Sequence, residues 1–221
     1  MKLSRPNLWS LALLLVACAA LPAFGQAPGI DYLGYGWEDG GLPPSNPGDV
    51  LTCVGTADGV DAVFGVDLGS EELTFHLYGL VSTGEVPLGG GVIMVSYTGG
   101  MMDVWRDGSQ NADYGVNPPN GTVPSSFTDG TLFFSGSFNS FSIFLSPDGS
   151  GAFEGNLDGV GGEILGAMCT NCAYTWGGAF TYGSGAQLPE GYDLQMDGEL
   201  QIEDSVANED ATWSQLKTLF R

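Results

Sequence analysis

Side chains bearing oxygen recur at every second position between residues 107 and 113, in Asp107, Ser109, Asn111 and Asp113. Hard cations such as calcium take oxygen donors grouped in this way. The run departs from an EF-hand loop, because Ala112 stands at the sixth position and Pro118 at the twelfth, so a polar turn is the competing reading. Thiol chemistry has one candidate, Cys169-Thr170-Asn171-Cys172, with Cys53 as a third cysteine beyond the N-terminal leader. In an oxidising compartment the spacing predicts a disulfide, within the Cys169–Cys172 pair or from Cys53 to one of its members. Thioredoxin-like exchange requires such a pair to open a helix after a parallel strand, and the flanks GEILGAM and AYTWGG carry no such pattern. No spacing selects a zinc site of the three cysteines with His76.

Catalytic signatures are sparse. The chain has one histidine, His76, and no HExxH, GxSxG or phosphate-binding glycine loop. Glu154 and Asp158 form the kind of carboxylate pair a glycosidase uses, but among 26 acidic residues such pairs arise by chance. Trp37, Trp105 and Trp176, with Tyr32 and Tyr35, offer aromatic faces on which sugars stack, or rings that pin one segment onto a sheet.

The elements that would position these residues have a period of two. Leu73, Phe75, Leu77, Gly79 and Val81 alternate with polar partners, as do Val60, Ala62, Phe64 and Val66. Further strands are predicted over 92–98, 101–105, 131–135, 138–145 and 173–182. The clearest is 192–203, where Tyr192, Leu194, Met196, Leu200 and Ile202 share one face and Asp193, Asp197, Glu199 and Glu203 share the other. Carboxylates along such a face ordinarily meet solvent. Asp-Gly pairs at 39, 58, 107, 129, 148 and 158 and Asn-Gly at 120 read as turns between antiparallel strands. No helical pattern alternates with the strands, so the expected fold is all-β: an antiparallel β-sandwich of jelly-roll type, or alternatively a closed β-barrel.

This β domain is expected over 49–203. A proline- and glycine-rich N-terminal arm (26–48) precedes it, and an acidic linker (204–211) follows it. The last segment, 212–221, reads as a short amphipathic helix that carries Trp213, Leu216, Leu219 and Phe220 beside Lys217 and Arg221. At the other end, Lys2 and Arg5 precede the uncharged run Leu8–Leu21, and Ala23-Phe24-Gly25 reads as the end of a signal peptide (1–25) cut before Gln26. The alternative is a lipoprotein box at Leu15-Val16-Ala17-Cys18, which would leave Cys18 lipidated and the protein anchored to a membrane. No other stretch is long enough to be a transmembrane span.

The formal charge is −21, and loss of the leader takes two of the five basic residues and none of the acidic ones. A surface so poor in cations excludes nucleic acid and anionic lipid as partners, and favours divalent cations and basic surfaces. The acidity also serves solubility.

The run YTGGMMDVWRDGSQNADYGVNPPNGTVPSSFTDGTLF from Tyr97 to Phe133, with LTFHLYGLVSTGEV at 73–86 and LPEGYDLQMDGEL at 188–200, resembles an uncharacterised family of exported bacterial β-rich proteins. Some of its members carry a PEP-CTERM sorting segment, which this sequence lacks. The resemblance implies a bacterial, secreted or cell-surface location and supplies no activity. The resulting expectation is a non-catalytic protein with a binding or structural role in the extracellular matrix, with calcium as a stabilising ion and an extracellular or cell-surface protein or polysaccharide as partner. The alternative is a carbohydrate-binding module or a secreted glycoside hydrolase.

Overall fold

The computed structural model describes residues 27–164, 172–183 and 186–203. The signal peptide, the Cys18 alternative, the acidic linker and the C-terminal helix fall outside them.

Nine strands follow one another: β1 (Gly29–Glu38), β2 (Val50–Val60), β3 (Glu72–Gly89), β4 (Val92–Thr98), β5 (Met101–Asp107), β6 (Thr131–Leu145), β7 (Ser150–Gly161), β8 (Ala173–Tyr182) and β9 (Leu194–Glu203). Every pairing is antiparallel, and β1 pairs with both β2 and β9, so the sheet closes on itself. Residues 72–78 of β3 pair with β5 and residues 81–89 with β4; on the far side β6 is shared in the same way. The two short strands therefore fill one position in the ring. They are separated by Gly99 and Gly100, whose φ values of 69° and 91° only glycine adopts without strain. The result is an up-and-down barrel of eight strand positions, the expected alternative rather than the sandwich. A sandwich would leave sheet edges open, whereas closure between β1 and β9 removes them.

The expected N-terminal arm is in large part β1. Ile30 and Tyr32 face the interior, and Gly34 and Gly36 continue that inward face. A methyl group at Gly34 would stand 2.8 Å from Phe75 Cζ, and one at Gly36 would stand 2.7 Å from Cys53 Sγ. Glycine is thus required where hydropathy shows no alternation. Elsewhere the Val60–Val66 alternation is not a strand: β2 ends at Val60, and Ala62–Phe64 is a 3-10 turn. Asp58-Gly59 lies inside β2, and Asp158-Gly159 inside β7. Tyr192 precedes β9 and packs outside the barrel.

Aromatic rings fill the interior. Tyr32, Phe75 and Trp176 meet at centroid distances of 5.0–5.4 Å, and Phe138, Phe141, Phe153 and Tyr174 extend the cluster. Inward glycines receive these rings; a methyl group on Gly155 would lie 2.7 Å from Phe138 and 2.8 Å from Phe141. One end of the barrel is covered by Phe64 and Ile164, the other by Leu42 in the β1–β2 loop. At that second end Glu38, only 3% exposed, accepts hydrogen bonds from Ser45 (2.5 Å) and Tyr97 (3.0 Å). A second apolar cluster lies on the outer wall, where the 108–130 segment covers Trp37 and Val54 with Val123 and Phe127. Thr74 fastens it by donating to the Phe127 carbonyl at 2.9 Å.

Candidate functional site

Because the interior is packed, the concave surfaces that matter lie on the outer wall, where β7, β8, β9 and β1 stand side by side. Register decides what meets there. Glu154 pairs with Gly177, Gly177 with Glu199, and Glu199 with Asp31. Adjacent strands are about 4.8 Å apart, so one row across four strands carries three carboxylates around a glycine gap. Gly177 has no side chain to fill the space between its neighbours. A trough of about 300 Å³ forms there, lined by Glu154, Asn156, Thr175, Gly177, Glu199 and Gln201. Beside it, Gly29, Asp31, Val60, Asp61 and Glu199 line a recess of about 450 Å³.

Like charges directly opposite one another on a sheet are destabilising, and Glu199 and Asp31 stand in that relation. The Asp31 carboxyl is raised above its ordinary range, first by burial and then by the charges of Glu199, Asp58, Asp197 and Asp61. No cation of the described chain relieves it. Arg106 is the one Lys or Arg among the described residues, and Glu71 holds it through Nε (2.5 Å) and Nη2 (2.7 Å). The adjoining row is mixed: Ala152 pairs with Ala179, which pairs with the exposed Asp197, which pairs with Leu33. Here a groove of about 400 Å³ is lined by Leu33, Ala179, Phe180 and Met196, among others. Outward strand positions mix carboxylates with exposed apolar residues such as Leu33, Val81, Val86 and Val160, whereas the inward ones are apolar. Among the described residues no helix is long and apolar enough to cross a membrane.

The sequence-predicted residues are distributed otherwise. Trp37 and Trp176 are buried, at 8% and 1% exposure, and Trp105 is half-buried with its Nε1 enclosed. None of the three forms an exposed platform on which a sugar would stack; of the two tyrosines named with them, Tyr32 is buried and Tyr35 half-buried. Glu154 and Asp158 both face outward from β7, four residues apart, a backbone separation of roughly 13 Å; joint catalysis needs less. His76 lies on the outer face of β3 beside Tyr78, with ring centroids 4.8 Å apart. Burial pushes its pKa down to about 4, against the opposing charge of Asp103. Asp103 already accepts from Tyr78 (3.0 Å) and Ser135 (2.5 Å). Cys53 is a buried free thiol, so it is not the alternative disulfide partner. The Cys169–Cys172 pairing involves Cys169, outside the described residues.

In the proposed calcium segment the side chains close turns. Asp107 Oδ1 accepts from the Ser109 backbone N–H (3.1 Å), and Asp113 Oδ1 from that of Gly115 (3.0 Å). Asn111 donates to Asp129 (2.9 Å) while its backbone N–H donates to Glu72 (2.8 Å). Ser109 is exposed, and Asp107 Oδ2 is buried without a partner. Among the described residues no group of three or more His, Cys, Asp or Glu side chains is placed to hold a metal. Because Asp107 Oδ1 and Asp113 Oδ1 already accept the hydrogen bonds that close these turns, we expect thermal melting of the protein to be unchanged by calcium or chelator. A rise of several degrees with calcium would return the ion to Asp107, Ser109, Asn111 and Asp113.

The acidic face of β9 is visible in the sequence, but its juxtaposition with Asp31 and Glu154 depends on strand pairings between residues distant in the chain. No known protein family, curated protein or solved structure matches the chain.

Proposed function

We propose that this is a non-catalytic binding or assembly protein, secreted or held at the cell surface, whose anionic outer wall engages a basic face of an extracellular or cell-surface protein. The carboxylate row Glu154–Glu199–Asp31 carries this reading, because it concentrates like charge around a glycine trough whose lining, among the described residues, holds no Lys or Arg. Opposite charge on a partner relieves that repulsion and steers encounter. The packed interior and covered ends favour use of the wall over use of the lumen.

Cross-linking and pull-down from intact producing cells tests the reading. The expected partner carries a basic surface, is released by salt, and is not recovered with a Glu154→Lys/Glu199→Lys variant of unchanged melting temperature. Equal recovery with that variant would move the interface elsewhere, and capture of a polysaccharide insensitive to salt would replace the protein partner.

A further inference from the structure

We propose that the chain's own C-terminal segment, residues 212–221, docks on the outer wall of β7, β8, β9 and β1 and covers the carboxylate row. This rests on the same wall as the binding role, but not on there being an external partner.

Two observations converge on it. The wall places two rows side by side, one in which Ala152, Ala179 and Leu33 surround a single carboxylate, Asp197, and one that is anionic (Glu154, Glu199 and Asp31). The terminal segment has the matching pair of properties, with Trp213, Leu216, Leu219 and Phe220 as apolar residues and Lys217 and Arg221 as two of the five basic residues in the chain. Apolar residues would occupy the groove floored by Leu33 and Ala179, whose rim carries Thr181, Gln195 and Asp197, and the cations would meet Glu154, Glu199 and Asp31.

Reach and exit point also fit. The described barrel ends at Glu203, two residues beyond Gln201, which lines the trough. Fourteen residues separate Glu203 from Lys217, enough to extend about 46 Å. A ten-residue segment in helical form is about 15 Å long, close to the roughly 14 Å spanned from β7 to β1. The docked segment would cover the exposed Leu33, Ala152 and Ala179 and neutralise part of the opposed charge. An external basic partner would then have to displace it.

Zero-length carbodiimide cross-linking of the full chain, read by peptide mass spectrometry on the monomer band, tests the proposal. Lys217 should join Glu154, Glu199 or Asp31, and these links should disappear in Glu154→Gln/Glu199→Gln/Asp31→Asn and weaken in Trp213→Ala. A Lys217 linked only to the nearby Glu209 and Asp210 would overturn the docking, as would wall links confined to dimers, which would place the segment on a second copy. Salt-sensitive partner capture that persists while the links are absent would discard the docked segment and leave the binding wall standing; links without any partner would do the reverse.

Discussion

Gly155→Ala should cost about 1–3 kcal/mol of stability, the usual range for overpacking, although it adds one methyl group. Gly155 faces inward from β7, and the added carbon would lie 2.7 Å from Phe138 Cε1 and 2.8 Å from Phe141 Cδ2. Neither ring is free to withdraw: Phe138 and Phe141 pack against each other at 5.2 Å, and Phe141 also meets Tyr97 at 5.7 Å. Gly155→Val should cost more. The opposite change at such a contact, Phe75→Ala, removes a ring that touches both Tyr32 and Trp176 and should cost about 3–5 kcal/mol. For a chain of this length that lowers the melting temperature by on the order of 10 °C. Gly121→Ala is the control, because nothing lies within 4 Å of the added carbon. Denaturant unfolding should show it within about 0.5 kcal/mol of wild type. If Gly155→Ala behaved as mildly as Gly121→Ala, glycine would not be what admits the rings.

His76 carries the second large effect. Its imidazole is held neutral by burial, with a pKa near 4 against an ordinary 6.5. A depressed value means that the stability it contributes is present above pH 6.5 and is lost as pH falls towards 4, by on the order of 2–3 kcal/mol. Four carboxyls act in the opposite sense. Asp31, Glu38, Glu72 and Asp193 are all raised, with burial the largest cause in each, so their contribution is present in acid and lost as pH climbs through their folded values. The groups facing His76 are Val54 of β2, Asp103 of β5 and Tyr78 on its own strand. Wild-type melting temperature should therefore fall between pH 6.5 and 4. In His76→Gln that fall should disappear, and the raised carboxyls should turn it into a rise. Because the chain has a single histidine, parallel curves for the two proteins would show that the ring is not buried neutral.

The architecture was legible where side chains alternate and hidden where glycine replaces them. The polar and apolar faces of β9 separate cleanly in the sequence, and 173–182 matches β8 at both ends. By contrast β1 and β7 use glycine at inward positions, so half of their alternation carries no hydropathy signal. Asp58-Gly59 and Asp158-Gly159 mimic turns, yet both lie within strands. At Asp58 the β1–β2 register slips, with Asp31 opposite Gly59 and Tyr32 opposite Ala57. Closure depends on β1 meeting β9, a contact between the two ends of the domain that no local pattern reveals. The wall was legible by halves: acidity along β9 could be read directly, whereas the gap at Gly177 and the arrival of Glu154 and Asp31 on either side follow from register alone. Trp37 and Trp176 were the opposite case, with a residue type suited to stacking on sugars buried by the fold, Trp176 in the interior and Trp37 beneath the 108–130 segment.

Binding of the purified full chain to producing cells, titrated at low and high salt for wild type and for Glu154→Lys/Glu199→Lys, tests the anionic wall most directly. Wild-type affinity should fall steeply with added salt, and the charge-reversed wall should bind at least tenfold more weakly at low salt while melting as wild type does. Binding that is indifferent to salt and equal in both proteins would contradict the account.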